Sequence, residues 1–239
     1  MNLRHEIGAW GLSLQAEQGQ AWLGSWHNGA NVMRQGLDRF DIRSMTMEVD
    51  RQVGPLAASL GLSWLDEDRT ILGGYFHEAF GTSGADTLFV DAAASLRLAD
   101  GWTLGADLRR GYTRVRRSDF ISAGSDVQST AWSVDLARSG VLQGGDSLGL
   151  RVSQPLRIEK GGLMLSLPVA YDYATETARY GLQNLPLAPD GRELTGEIAW
   201  SGKLWGGSSA ASLFYRRQPG HYAAVPDDAG VAVKWSGEF

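Results

Sequence analysis

The chain has 239 residues, no cysteine, 43% hydrophobic and 21% charged residues, and a formal net charge of -5. The missing thiols exclude a disulfide scaffold, a zinc ribbon and a cysteine nucleophile, and the mild acidity gives no reason to expect nucleic acid as a partner. Glycine supplies 31 residues, which disfavours a helical protein because it weakens helix interiors by roughly 1 kcal/mol relative to alanine. No apolar stretch of ~18 residues predicts a transmembrane helix, and residues 1–9 contain no secretory signal pattern.

Alternating apolar and polar residues, the period of a β-strand, run through the first half of the chain. The pattern predicts strands over residues 10–15, 21–26, 40–50, 56–64, 88–98 and 102–109. A turn is predicted at Glu17-Gln18-Gly19, while residues 70–80 are short and glycine-broken and fit a strand or a loop. Asp100-Gly101 lies between two alternating runs, which is a good signal for a β-hairpin.

The second half of the chain repeats this scheme. Its predicted strands cover residues 132–136, 148–152, 163–173, 194–204, 211–216 and 231–239. Gly161-Gly162 is predicted to turn into the third of them, and residues 185–191 are predicted to form a loop. Roughly twelve strands result. The length of chain available per strand accommodates the ~9 to 11 residues that a membrane-spanning strand needs and also a turn or loop. We predict one closed all-β domain over residues 1–239, a transmembrane β-barrel.

The composition of the two strand faces favours a barrel over a soluble β-sandwich, although alternation alone fits both. Aromatic residues lie towards the ends of the apolar faces, as in the girdles of a membrane barrel, while each single ring fits a core position equally well. The polar faces carry charges of both signs in mid-strand, where a barrel would turn them to a water-filled lumen. The residues predicted to line the lumen are Asp107, Arg109, Glu197, Lys203 and Arg216.

The last nine residues alternate and end on an aromatic residue. This pattern resembles the terminal β-signal of bacterial outer-membrane proteins, whose regular edge and apolar stripe an insertion machine can pair with. The predicted assembly residues are Val231, Val233, Trp235 and Phe239. The resemblance implies the barrel assembly machinery as a partner and the bacterial outer membrane as the location.

A narrower resemblance covers the chain from about Met45 onward. It rests on Gly61-Leu62-Ser63-Trp64-Leu65 within residues 53–68, on the hairpin 92–105 with Gly101-Trp102, and on residues 210–220 followed by 231–239. These segments look like the carboxyl-terminal translocator of subtilisin-like serine protease autotransporters. The resemblance implies a barrel of about 12 strands that anchors an exported passenger and assists its export, with a passenger segment in the lumen.

The chain departs from a whole autotransporter, since a signal peptide, a passenger and a lumen-plugging helix are not recognised in it. We therefore expect an excised or separately produced barrel. The alternative is a small passive outer-membrane pore, or a ligand-binding barrel, without a passenger.

We expect no enzymatic activity, no cofactor and no metal. His77 lies beside a carboxylate, Glu78, with Ser83 nearby, but adjacent residues of a strand point to opposite faces and cannot form an orienting pair. The one G-x-S-x-G match, Gly145-Asp146-Ser147-Leu148-Gly149, lies at a predicted turn between two strands and not between a strand and a helix, as a nucleophile elbow requires. No H-E-x-x-H zinc motif occurs, and the glycine pairs between strands are typical of hairpins.

A basic cluster is the strongest charge feature of the sequence. Arginine pairs bidentately with phosphate, so an external position would suit the phosphates of lipopolysaccharide. The simpler interpretation is a mixture of lumen-lining and solvated loop charges. The cluster consists of Arg109, Arg110, Arg114, Arg116 and Arg117.

Overall fold

The computed structural model describes residues 1–23, 38–75 and 84–237, and these ranges are mainly β-strand. None of their helices is long and apolar enough to span a membrane. The strands are β1 (Asn2–Ile7), β2 (Trp10–Leu23), β3 (Asp38–Val53), β4 (Leu56–Glu67), β5 (Thr70–Ile71), β6 (Gly74–Tyr75), β7 (Ala85–Arg97), β8 (Trp102–Val115), β9 (Asp126–Ser139), β10 (Ser147–Asp172), β11 (Thr177–Pro186), β12 (Leu194–Leu204), β13 (Gly207–Arg217) and β14 (Asp228–Ser236).

Twelve of these strands form one antiparallel sheet. Its order is β1-β2-β3-β4-β7-β8-β9-β10-β12-β13-β14, and β11 pairs with the distal half of β10, while β5 and β6 form a separate hairpin. Within the described ranges no ladder joins β1 to β14. The all-β prediction is confirmed, and closure of the sheet into a barrel stays a prediction.

The strands are joined by short turns at one end of the sheet and by longer loops at the other. At the short-turn end, Asp100 and Gly101 have φ angles of 59° and 77°, and the N–H of Trp102 donates to the carbonyl of Ala99. Two successive positive φ angles match the right-handed twist of the flanking strands. The hairpin predicted at this dipeptide is confirmed.

Two predicted turns are wrong because strand pairing overrides the local glycine signal. Residues 17–19 lie inside β2, where the ladder to β3 runs without interruption. Gly161-Gly162 lies inside β10, a single strand of 26 residues. Its pairing with β9 shifts register at two bulges between Gln154 and Lys160. Glycine weakens a strand, but it does not end the strand where the ladder to a neighbouring strand continues.

Other predicted boundaries also change. β11 was not expected, and the predicted loop 185–191 begins inside its last residues. Residues 70–75 form the β5–β6 hairpin. The remaining parts of the predicted segments 21–26 and 70–80, from residues 24 and 76, lie outside the described residues.

The registers place apolar side chains on one face of the sheet from β1 to β14. Leu14, Met47, Leu62 and Val90 are successive cross-strand partners, and partners in an antiparallel pair point to the same side. Their face is open to the surroundings, with Leu60 exposed to 66% and Val233 to 76%. In the ranges that the structure describes, no second sheet covers the apolar face, as one would in a sandwich.

The buried apolar core is small and lies at the long-loop end. Val115, Val127 and Leu163 of three neighbouring strands contribute to it together with Ile71 of the β5–β6 hairpin and Ile121 of the β8–β9 loop. The buried Glu67 holds this hairpin, because its carboxylate accepts hydrogen bonds from Thr70 Oγ1, and from two backbone N–H groups of the turn, each at 2.8 Å. The β5–β6 hairpin and the β8–β9 loop therefore fold onto the sheet.

Candidate functional site

The polar face of the sheet is concave. One cavity of about 600 Å³ is lined by residues of seven strands, from Gln15 on β2 to Gln154 on β10. Because neighbouring strands lie about 4.8 Å apart, β2 and β10 would lie too far from each other in a flat sheet to line the same cavity. The lining between them includes Glu48, Asp91 and Ser133, so the hollow carries charged and polar groups.

The five predicted lumen residues share this polar face. Asp107 and Arg109 of β8 line the cavity, and Arg109 Nε donates to Asp91 Oδ1 at 2.6 Å. Asp107 accepts a hydrogen bond from Ser133 Oγ at 3.1 Å. Asp91 and Arg109 are direct cross-strand partners, which is the placement in which opposite charges stabilise a sheet.

The other three lie on the β12 and β13 side of the face. Glu197 lines a second cavity of about 290 Å³ together with Asp135 and Arg151. Arg216 Nε donates to Asp228 Oδ1 of β14 at 2.9 Å. Lys203 shares their face but lies at the short-turn end, beside Ser208 of β13. That these side chains face an enclosed lumen stays a prediction.

Sequence reasoning missed one ion pair of the polar face. Arg4 Nη1 donates to Asp50 Oδ1 at 2.7 Å, and the pair spans β2 above Gly11, where a Cβ atom would come within 2.5 Å of both side chains. The strand β1 was not predicted, although Leu3, His5 and Ile7 alternate with polar residues before the turn.

At the long-loop end, charged side chains attach the loops to β10. Arg157 donates to the carbonyls of Gly191 and Pro189 and to the Glu159 carboxylate. His221 accepts the N–H of Glu193 at Nδ1, and its Nε2 lies 3.1 Å from the carbonyl of Leu156. Both ring nitrogens are therefore engaged in contacts that join the loops to β10.

The predicted basic cluster is divided between different surfaces. Arg109 lies on the polar face, whereas Arg110 lies on the apolar face over the Tyr112 ring. Arg116 binds Asp86 and Asp66, and these two hydrogen-bonded carboxylates raise the pKa of its guanidinium above the usual range. The cluster is therefore not one contiguous phosphate site. Binding of lipopolysaccharide by its outward members stays a prediction.

Three of the predicted assembly residues lie on the apolar face of β14. Val231 and Val233 pair with Leu213 and Ala211 of β13, and Trp235 Nε1 donates to the carbonyl of Leu204 at 3.1 Å. Phe239 lies outside the described residues. No strand among the described residues pairs with the far edge of β14.

The expected absence of an enzyme or metal site stays a prediction. His77, Glu78 and Ser83 lie outside the described residues. In the described ranges no group of three or more histidine, aspartate or glutamate side chains is placed to hold a metal ion.

Fold and site together define an antiparallel β-sheet protein with a concave, charge-paired face and an exposed apolar face. Comparison of the chain with protein-family models, curated proteins and solved structures finds no match.

Proposed function

We propose that the chain is an outer-membrane β-barrel that acts as translocator and membrane anchor for an exported passenger. The observation that carries the proposal is the apolar face, which continues from β1 to β14 and is covered by no other part of the described chain. Water disfavours an apolar surface of this extent, whereas the hydrocarbon core of a bilayer solvates it.

The height of the apolar face supports a membrane position. On β8, Trp102 and Tyr112 bound a row that also contains Leu104, Leu108 and, next to Tyr112, Arg110, whose guanidinium lies over the Tyr112 ring. Ten residues span ~33 Å along a strand, and a tilt of ~40° reduces this to a height of ~25 Å, the thickness of the apolar band of outer-membrane barrels. The two aromatic rings would then lie in the two interfaces.

The polar face supports the translocator role. Small residues such as Ser59, Ala93 and Ser133 share its rows with the charged pairs, so a closed barrel would leave space for an extended segment. Charges of both signs would hydrate such a segment without binding it tightly. The outward edge of β14 is the surface that the barrel assembly machinery would recognise.

Refolding into detergent micelles and liposomes tests the membrane part of the proposal. We expect a compact form that migrates differently on a mildly denaturing gel before and after heating, and that floats with liposomes. A chain that stays soluble and compact without detergent would contradict it.

Surface display tests the translocator part. An epitope fused before Met1 should become accessible to protease on intact cells, while the same fusion lacking β13 and β14 should not expose it. Equal exposure from both fusions, or exposure from neither in cells that contain the inserted full-length barrel, would contradict export.

A passive pore is the second candidate, and the polar cavity favours it. Planar-bilayer recordings separate the two: a steady conductance that an attached passenger segment leaves unchanged supports the pore, and a conductance blocked by that segment supports the translocator.

A further inference from the structure

The two edges of the main sheet run in the same direction. Eleven strands lie on the path from β1 to β14, and each pairs with its neighbour in the antiparallel sense. With an odd number of alternating strands, the first and the last are parallel. Both run from the long-loop end to the short-turn end, since β1 leads into the turn at Gly8 and β14 follows the long β13–β14 loop.

Direct closure would therefore require a parallel ladder between β1 and β14, in a sheet whose other ladders are antiparallel. The two edges also differ in length. β1 has six residues and pairs with only residues 10–15 of β2. Beyond the contact of Met1 with Ala16, no described strand lies beside the upper part of β2 on that side. Single-chain outer-membrane barrels have even strand numbers for the same geometric reason.

We propose that the seam between β1 and β14 binds one further strand, antiparallel to both, from an extended amphipathic polypeptide segment. This inference rests on the proposed membrane barrel. The added strand would pair with both edges through its backbone, as in β-augmentation, and would extend along the part of β2 that no described strand covers on the β1 side.

The side chains on either side of the seam define the chemistry of that segment. Towards the bilayer it would lie between Leu3 and Ile7 of β1 and Val233 of β14, so its outward residues must be apolar. Towards the interior it would lie between β1, where Arg4 is already paired with Asp50 and Glu6 shares the face, and Lys234 of β14. Small polar residues therefore suit the alternate positions, with an acidic residue beside Lys234. A segment of nine or more residues with period-two alternation meets both requirements.

Cysteine cross-linking tests the seam, because the natural chain contains no cysteine. Disulfides require Cα atoms within about 7 Å, whereas edges separated by one strand are about 9.6 Å apart, twice the strand spacing. In the liposome-inserted full chain we expect no seam disulfide when His5→Cys is combined in turn with V231C, V233C or W235C. The control H5C with L12C joins direct β1–β2 partners and should form a disulfide.

A synthetic peptide provides the added strand. It has the length of β13, Gly207–Arg217, alternates apolar residues with serine and glutamate, and carries cysteine at a central apolar position. It should form mixed disulfides with both H5C and V231C chains. A peptide of the same composition in scrambled order should form no mixed disulfide with either chain.

The outcomes separate this inference from the membrane proposal. A seam disulfide within one inserted chain, a disulfide between two copies, or failure to capture the alternating peptide would each overturn the added strand and leave the membrane position intact. Failure of the cysteine-free chain to insert into liposomes would overturn the barrel itself.

Discussion

At the scale of single residues, Asp146 closes the turn between β9 and β10. Its carboxylate accepts hydrogen bonds from Trp200 Nε1 at 3.0 Å and from the backbone N–H groups of Val141 at 2.7 Å and Leu142 at 2.9 Å. The bond from Trp200 and the backbone bonds lower the pKa of Asp146. A single ionised side chain thus joins this turn to β12.

Replacement of Asp146 by asparagine should lower stability at pH 7 and flatten its dependence on pH. A carboxylate with a lowered native pKa stabilises the fold fully above the unfolded value of about 3.9, and this contribution is lost as pH falls through the native pKa. Thermal unfolding of refolded protein at pH 7 and near pH 2 measures the effect. An equal loss of stability for wild type and D146N on acidification would contradict it.

Arg116 is a second residue on which local charge balance depends. Asp66 and Asp86 are direct cross-strand partners, so their like charges repel unless a cation lies between them. We expect Arg116→Gln to destabilise the protein by roughly 1 kcal/mol, and added D86N to restore most of the loss. Urea unfolding at low and high salt checks this expectation. If D86N does not restore the lost stability, repulsion between Asp66 and Asp86 is not its cause.

At the scale of elements, β10 differs most from its predicted form. It continues through Gly161 with φ of +102°, and a Cβ atom at this position would lie 2.0 Å from the carbonyl oxygen of Asp126. The positive φ and the close approach of β9 both require glycine. Gly161, which indicated a turn in the sequence, instead allows the single strand β10 to pass close to β9.

Gly161→Ala should therefore destabilise the protein by about 1–3 kcal/mol through backbone strain. Gly196→Ala is the matched control, since a Cβ atom added at this strand glycine would meet no atom of the described chain within 4 Å, and its φ is ordinary. Denaturant unfolding of the two variants in the same detergent compares them. Equal stability of both variants would show that the strand relaxes around Gly161.

At the scale of the whole molecule, the medium that covers the apolar face decides the fold's stability. Leu60 lies at the centre of that face on β4, and its neighbour Ser59 lies on the polar face. The two positions are adjacent in β4, and their side chains point to opposite faces of the sheet. They therefore report which face contacts lipid.

Leu60→Arg should destabilise the inserted protein by roughly 2–4 kcal/mol, the cost of arginine near the bilayer midplane, whereas Ser59→Arg should be tolerated. Unfolding from liposomes measures both. If Leu60→Arg instead left stability unchanged and improved solubility without detergent, the apolar face would not lie in a membrane.

The sequence by itself determined the all-β class, the hairpin at Asp100-Gly101 and the face on which Asp107, Arg109, Glu197, Lys203 and Arg216 lie. These features follow from period-two alternation and from the φ preferences of glycine, which act over a few residues. The ion pair of Arg4 with Asp50 escaped prediction because its partners lie on non-adjacent strands.

Only the tertiary structure decided that β2 continues through Gly19, that β10 continues through Gly161, and that the polar face is concave. A strand ends where its neighbours stop pairing with it, and a sheet curves according to the sum of all its registers. Both depend on contacts between residues far apart in the chain, and local composition does not encode them.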